Sequence, residues 1–551
     1  MWVDDRGKNT EYFFIVKKIR GIDMTITRRT LVQSALAAGA ALAVPSILRA
    51  QDKQAIRMIM GDIQIFDPVF TTSQYTFNHA MAVYDTLFAL DADLVPQPQM
   101  VGKWSASDDK KAYTFELRDG LRWHDGTPVR AADCVASIRR WGQVEPSGQL
   151  LLKEAANIAA TDDKTFVITL NEALGSVTDI LAKPLFMMRE QDAKLPATEQ
   201  VTTNIGSGPY KFNAELTRPG SRVVYDRNEQ YVPRNEPSSG FAGAKIAKAE
   251  QVIWENISDP QTALAALQAG EVDYWAEPVA DLFSAIESSD NLVLDTLGGN
   301  GSDWVVRMNF LQPPFNNVKM RQALLHLIDQ KVFLSLMAPD EKFGRTVTST
   351  FGTGSPYSND VNIEWFKEGG DLEKAKQLIA ESGYAGEKVV ILDPTDWREG
   401  DVASQLFASV LQKAGVNAEL APMTWSELAV RRGNKGPVEN GGWNFFITTF
   451  SDYEMRDPMA TSLFVMKSEE AWYGWPQNDE FEVLRGKWPR TETKTERQAL
   501  AREMQRIWWD FVPIVFLCQT KAPSARNKHL VDMISTPAPE RAIWNMRKVE
   551  G

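Results

Sequence analysis

The chain has little with which to build a metal or thiol centre. Its 551 residues include four histidines and two cysteines. His79, His124, His326 and His529 never fall three or four apart, so no histidine pair shares a helix face as a metal motif would require. Cys134 lies in a helix-like run and Cys518 ends the apolar run 512–517; they read as two separate buried thiols. There is no Gly-x-Ser-x-Gly, no P-loop and no Gly-x-Gly-x-x-Gly. The acid pairs Asp108-Asp109 and Asp162-Asp163 precede strand-like segments and read as turns. These absences point away from an enzyme and from a bound cofactor or metal. No basic block is present either. The net charge is −12, and residues 1–50 hold eight Lys/Arg against four acids, so the remainder is more acidic still. Such a surface repels nucleic acid and anionic lipid. No apolar run reaches the roughly 20 residues that span a bilayer.

What the chain does have is size and aromatic mass. Apolar residues make up 44% and charged residues 24%, a balance typical of a globular protein. Its length exceeds what one core organises, so two or more lobes are expected. The seventeen Trp must sit in cores or line a cleft.

The clearest local signal is near the N-terminus. Arg28-Arg29 precedes a short apolar stretch of small residues, 34–48, interrupted by Pro45. That is the pattern of a twin-arginine export signal, with cleavage expected near Ala50 and a periplasmic destination. Residues 1–23 fit no part of such a signal, and Met24 stands beside Met1 as a start. No Cys lies at the cleavage zone to carry a lipid anchor.

Beyond residue 50 the texture is first α+β. Residues 56–60 read as an opening strand, and 113–118 and 165–170 alternate with period two on either side of a helix over 131–141. After residue 310 the pattern becomes α/β. Met320, Ala323, Leu324, Leu327 and Ile328 form one helical face, and 372–382 is a helix between Asp371 as N-cap and Gly383 as C-cap. Strand 388–392, helix 402–414 stopped by Gly415 and strand 416–420 predict a right-handed parallel crossover.

Several blocks, in order, resemble the bacterial extracellular solute-binding proteins of family 5, the oligopeptide, dipeptide and nickel binders. They are Val83-Tyr-Asp-Thr-Leu-Phe88; 94–104; 107–129, with Ala132-Asp133; Gly206-Ser-Gly-Pro-Tyr-Lys-Phe212, with Asp226-Arg-Asn and Tyr231; Gly270-Glu-Val-Asp273; and Met308 to Leu324. The resemblance implies an α/β fold of two lobes with a hinge, the periplasmic-binding-protein architecture, with an extra α+β subdomain inserted in the first lobe. The implied partition is an export segment at 1–50, a first lobe at 51–305 with 86–205 inserted, a second lobe at 306–512, and a return to the first lobe at 513–551. Residues 304–309 would be one crossing between lobes, and 512–517 would lie near the other. The implied function is that of an extracytoplasmic receptor of an ABC importer. As a monomer it would close on a small peptide or other amine-bearing solute and dock on an inner-membrane ABC permease. A metal–chelate or opine-type solute, or an exported hydrolase, are the alternatives.

The same resemblance nominates site residues. Asp452, in 443–453, matches the acid that pairs with a peptide's α-ammonium, with Phe450 and Tyr453 beside it and Thr449 where the family has Trp. From its residues alone Asp452 reads equally as a surface-loop acid. Trp425 and Arg431 resemble an aromatic wall and a carboxylate clamp, Arg432 competing for the second role. In the first lobe, Ser73, Gln74 and Tyr75 lie where family members offer hydroxyls and backbone to the ligand. Trp304 faces either cleft or core. Asp457, just before Pro458, reads as a turn acid remote from the ligand.

Overall fold

The computed structural model describes residues 55–71, 73–297, 301–338 and 340–550. The export segment lies outside them. Two large sheets carry the molecule. The first has seven strands in the order Leu292–Asp295, Ser524–Asn527, Tyr274–Trp275, Ala55–Ile59, Gln251–Glu255, Arg222–Arg227, Tyr210–Phe212. Its central strand Ala55–Ile59 runs parallel to both neighbours, and the outer pairs are antiparallel. The second has six strands: Gly344–Arg345, Ile514–Thr520, Ser302–Met308, Phe445–Ser451, Val389–Pro394, Ala418–Met423. There Val389–Pro394 is parallel to both of its neighbours.

The expected crossover is present. Helix Arg398–Lys413 connects the parallel strands Val389–Pro394 and Ala418–Met423, and Gly415 takes a φ of +88° after it. Asp371 caps helix Leu372–Glu381, its side chain accepting from the Lys374 amide.

A separate four-stranded antiparallel sheet, Val101–Ala106, Ala112–Leu117, Thr165–Leu170 and Ala155–Ala160, has its own buried core between Leu87 and Met187. A buried ion pair ties this subdomain to the first lobe. Arg140 donates from Nη1 and Nη2 to Asp67 at 3.1 and 2.8 Å, and both side chains are sequestered. Gly206 and Gly208 are demanded here by close approach. A Cβ at Gly206 would stand 1.9 Å from the Val83 carbonyl oxygen. His124 bridges the same turn, accepting from the Gly206 amide and facing the Gly208 carbonyl, a structural role.

The crossing segments differ from expectation. Residues 304–309 were expected to pass between lobes and 512–517 to lie near the other crossing, but Ser302–Met308 and Ile514–Thr520 are interior strands of the second sheet, each paired on both edges. Their side chains are almost all buried, so the pair of strands is held by packing on both faces. In chain order Leu292–Asp295 of the first sheet precedes Ser302–Met308 of the second, and Ile514–Thr520 of the second precedes Ser524–Asn527 of the first. The return to the first sheet is thus made by Ser524–Asn527.

Candidate functional site

In open α/β sheets ligands bind beyond the carboxyl ends of parallel strands, where the chain leaves the sheet in opposite directions and opens a crevice. Both large sheets have such an edge. In the first, strand Ala55–Ile59 leads into 60–75, and Tyr274–Trp275 leads to Glu277. In the second, Val389–Pro394 leads to Trp397, Ala418–Met423 to Trp425, and Phe445–Ser451 to Asp452 and Tyr453.

The two edges meet. Tyr453, on the second lobe, packs against the cores of the first lobe and of the inserted subdomain. A cleft of about 710 Å³ lies there. Phe70, Thr71, Gln74 and Phe77 line it from the first lobe, Trp141, Glu145 and Lys183 from the subdomain, Ser451, Tyr453, Glu454 and Arg456 from the second lobe, and Glu540 from the C-terminal tail. Such a volume suits a small organic solute. Burial, with the charge of Glu454 adding, pushes the Glu540 carboxyl up to about 7.

Asp452 is not among the residues that line this cleft; it follows the strand Phe445–Ser451, between the lining residues Ser451 and Tyr453, with 2% of its surface exposed. Its Oδ1 accepts from the Thr353 amide at 2.8 Å and from Gln519 Nε2 at 2.9 Å, and its Oδ2 accepts from Arg345 Nη2 at 3.0 Å. Burial raises its carboxyl, and the Thr353 amide, Arg345 and Gln519 oppose that rise. Gln519 Nε2 also donates to Asp303 Oδ1 at 2.6 Å. Burial and the Asp452 charge hold the Asp303 carboxyl well above the usual range.

Of the other residues nominated from sequence, Gln74 and Tyr453 line the cleft. Gln74 Nε2 reaches the Pro539 carbonyl at 3.1 Å. Ser73 precedes helix Gln74–Val83, its carbonyl accepting from the Phe77 amide. Tyr75 turns to Glu277, hydroxyl to carboxylate 3.0 Å, with its ring over Gly61, where a Cβ would collide with it. Phe450 is buried edge-on to Trp472 at 5.6 Å, in the core. Thr449 pairs across the strands with Trp304. Trp304 is 6% exposed, donates from Nε1 to Thr520 Oγ1 and stacks on Trp397 at 4.9 Å. Trp397 in turn meets Trp425 edge to face at 5.3 Å, which makes an aromatic rail along the strand ends. Arg431 is committed to the carbonyls of Gly441 and Gly442 and holds the 432–442 loop. Arg432 lies over the Tyr473 ring at 4.5 Å, with Trp472, Phe446 and Trp425 around it.

Asp457 is not a detached turn acid. It faces Lys183 of the subdomain at 3.5 Å and Arg456 at 3.5 Å, and accepts from the Met459 amide at 2.8 Å. Sequence reasoning missed Arg345, Asp303, Gln519, Trp397, Lys183, Arg456 and Glu540. None sits in a local motif. Arg345 and Gln519 become neighbours only because the two-residue strand Gly344–Arg345 pairs with Thr520 and Gln519.

Among the described residues no group of His, Cys, Asp and Glu is arranged to hold a metal ion. Both cysteines are buried and unbridged. No described helix is long and apolar enough to cross a membrane.

Two sheets presenting strand ends to one cleft, with a third small sheet inserted in the first lobe, define a two-lobe periplasmic binding protein. The same fold is found in DppA of Helicobacter pylori in complex with the peptide STSA, with a TM-score of 0.73 and 21% identity over 91% of this chain and all of that one. It is found also in AgaA of A. tumefaciens R10 in complex with agropinic acid, with a TM-score of 0.71 and 21% identity over 90% and 99%. The chain belongs to the bacterial extracellular solute-binding proteins, family 5, whose model matches residues 95–471. It is 54% identical to a probable peptide ABC transporter periplasmic-binding protein, y4tO, of Sinorhizobium fredii (strain NBRC 101917 / NGR234), over 95% of this chain and the whole of that relative.

Proposed function

We propose that this protein is the periplasmic receptor of an ABC importer that captures a small peptide or a similar amine-bearing solute between its lobes. The observation that carries the reading is the cleft between the two sheets, lined on its second-lobe side by Ser451, Tyr453 and Glu454, with the buried acid Asp452 between the first two in the chain. The name of the Sinorhizobium relative supports a peptide as cargo. In this reading the seven-stranded sheet and the inserted 86–205 segment form one lobe, the six-stranded sheet the other, and the chain acts as a monomer on an inner-membrane permease. Asp452 holds the solute's ammonium, Tyr453 and Gln74 contact it, and Trp397 and Trp425 offer an aromatic wall. Mass spectrometry of solute released from purified protein tests the reading. An intact amine-bearing solute is expected; recovery of cleavage products from it would favour an exported hydrolase instead.

Two further outcomes follow. Binding stabilises the form in which both lobes touch the solute, so small-angle scattering at saturating solute should give a smaller radius of gyration than without it. An unchanged radius would rule out closure. For export, replacing Arg28-Arg29 by Lys-Lys should leave the protein in the cytoplasm, because the translocase reads the arginine pair. The wild-type periplasmic form should begin near Gln51 by N-terminal sequencing, and normal export of the variant would contradict the twin-arginine route.

A further inference from the structure

Asp452, between the cleft-lining residues Ser451 and Tyr453, is not a lone acid. Gln519 is a shared spacer: its Nε2 donates to Asp452 and to Asp303, and its Oε1 accepts from Arg345 Nε. Arg345 spans from that amide to Asp452 Oδ2. Asp452 and Asp303 keep 2% and 1% of their surface, whereas the Arg345 side chain keeps 34%. The guanidinium is therefore the member of the cluster nearest solvent. Among the described residues Asp303 Oδ2 has no hydrogen-bond partner.

The charge state of this cluster limits what can join it. Burial and the neighbouring Asp452 charge both push the Asp303 carboxyl up, which favours its neutral form. What remains is one carboxylate and one guanidinium side by side, with the positive Lys521 also acting on Asp452. A peptide N-terminus brings an ammonium flanked by a neutral amide, so it adds a second cation next to Arg345. A head with an ammonium and a carboxylate on one carbon adds no net charge. Its ammonium can face Asp452 while its carboxylate faces Arg345, closing a ring of alternating charges with charge-assisted hydrogen bonds.

We propose that Arg345 is a specificity-determining residue that, together with Asp452, selects solutes presenting a free α-amino-acid head over ordinary peptide N-termini. This rests on Asp452 being the ligand's anchor.

Two isomeric tripeptides test it. γ-Glu-Ala-Gly and α-Glu-Ala-Gly have the same formula and net charge, but only the first carries ammonium and carboxylate on one carbon. By calorimetric titration of the purified protein, the γ-linked isomer should bind roughly ten-fold tighter or more, the scale of one charge-assisted contact. Arg345→Gln should abolish that preference by weakening the γ-linked isomer alone. Arg345→Lys should restore part of it, because the charge returns without the fork. Equal binding of the isomers by the wild type, or a preference that survives Arg345→Gln, overturns the proposal and leaves the peptide-receptor reading intact. Binding of neither isomer also overturns the proposal, while the receptor reading is decided by the solute released from purified protein. The wild-type comparison decides the matter even if a variant fails to fold.

Discussion

Asp452→Asn is expected to cut affinity for the amine-bearing solute by roughly thirty-fold to several thousand-fold, the range for removing one member of a desolvated charge pair, about 2–5 kcal/mol. The substitution keeps the shape of the side chain. An Asn oxygen can still accept from the Thr353 amide and from Gln519, so the loop stays in place. What disappears is the negative charge, and a bound ammonium would then be buried without a partner. Arg345 also loses its ion pair, but its side chain is one-third exposed and can take water instead, so the melting temperature should fall by only a few degrees. Asp303→Asn is the informative control. Burial and the Asp452 charge favour the neutral form of Asp303, and a neutral acid and an amide are nearly isosteric, so this change should alter affinity by less than about three-fold. Titration of both variants with the solute recovered from the wild type measures this. Equal affinity for wild type and Asp452→Asn would remove the ammonium-anchor role while leaving the receptor role standing.

Much of the fold is legible in the sequence because it is written in local periodicity. The crossover at 389–423 announces itself through a β-branched run, a helical stripe and Gly415, and each of these acts within a few residues of its own position. The crossing segments are not legible in the same way. An apolar strand such as Ile514–Thr520 looks the same whether it enters one sheet or the other, and only pairing with Ser302–Met308 decides it. The site divides along the same line. Asp452 and Tyr453 could be named because the stretch 443–453 resembles the family's ammonium-binding segment. Arg345, Asp303 and Gln519 could not, since three separate strands bring them together. Arg431 and Arg432 show the limit from the other side. They are adjacent in sequence and point to different tasks, one to backbone carbonyls and one to aromatic rings, and composition cannot tell them apart.

The largest departure from a local reading is Asp457, and it carries the second large effect. Before Pro458 a carboxylate looks like turn chemistry. Here it joins the second lobe to the inserted subdomain through Lys183, which is 6% exposed. Ser147 adds a hydrogen bond to the Met459 carbonyl, Ser176 one to the Pro489 carbonyl, and Arg497 pairs with Asp179 at 3.3 Å, all across the same boundary. If solute binding draws the lobes together, these contacts belong to the closed form. Asp457→Asn would then leave the Lys183 ammonium buried against Arg456 with its strongest counter-charge removed and only Glu145 and Asp179 acting on it. The long 3.5 Å separation places the cost at the lower end of the buried-pair range, about 2 kcal/mol. That shifts the closing equilibrium toward open, and apparent affinity falls with the closed fraction, by roughly thirty-fold. The pH dependence has a fixed sign. Although burial pulls the Asp457 carboxyl upward, Lys183 and Arg456 hold it below its ordinary value of 3.8. A depressed acid favours the paired form above its unpaired value and loses that contribution as pH falls through the lower one, so the Asp457 part of closure should vanish only below about pH 4. Lys183→Met in the Asp457→Asn background removes the stranded cation and should recover most of the lost affinity, since eliminating both charges of a buried pair costs far less than eliminating one. Calorimetry on the two single variants and the double variant, with scattering on each, reads this directly. Single variants that bind as tightly as the wild type would show that the subdomain contact takes no part in holding the solute.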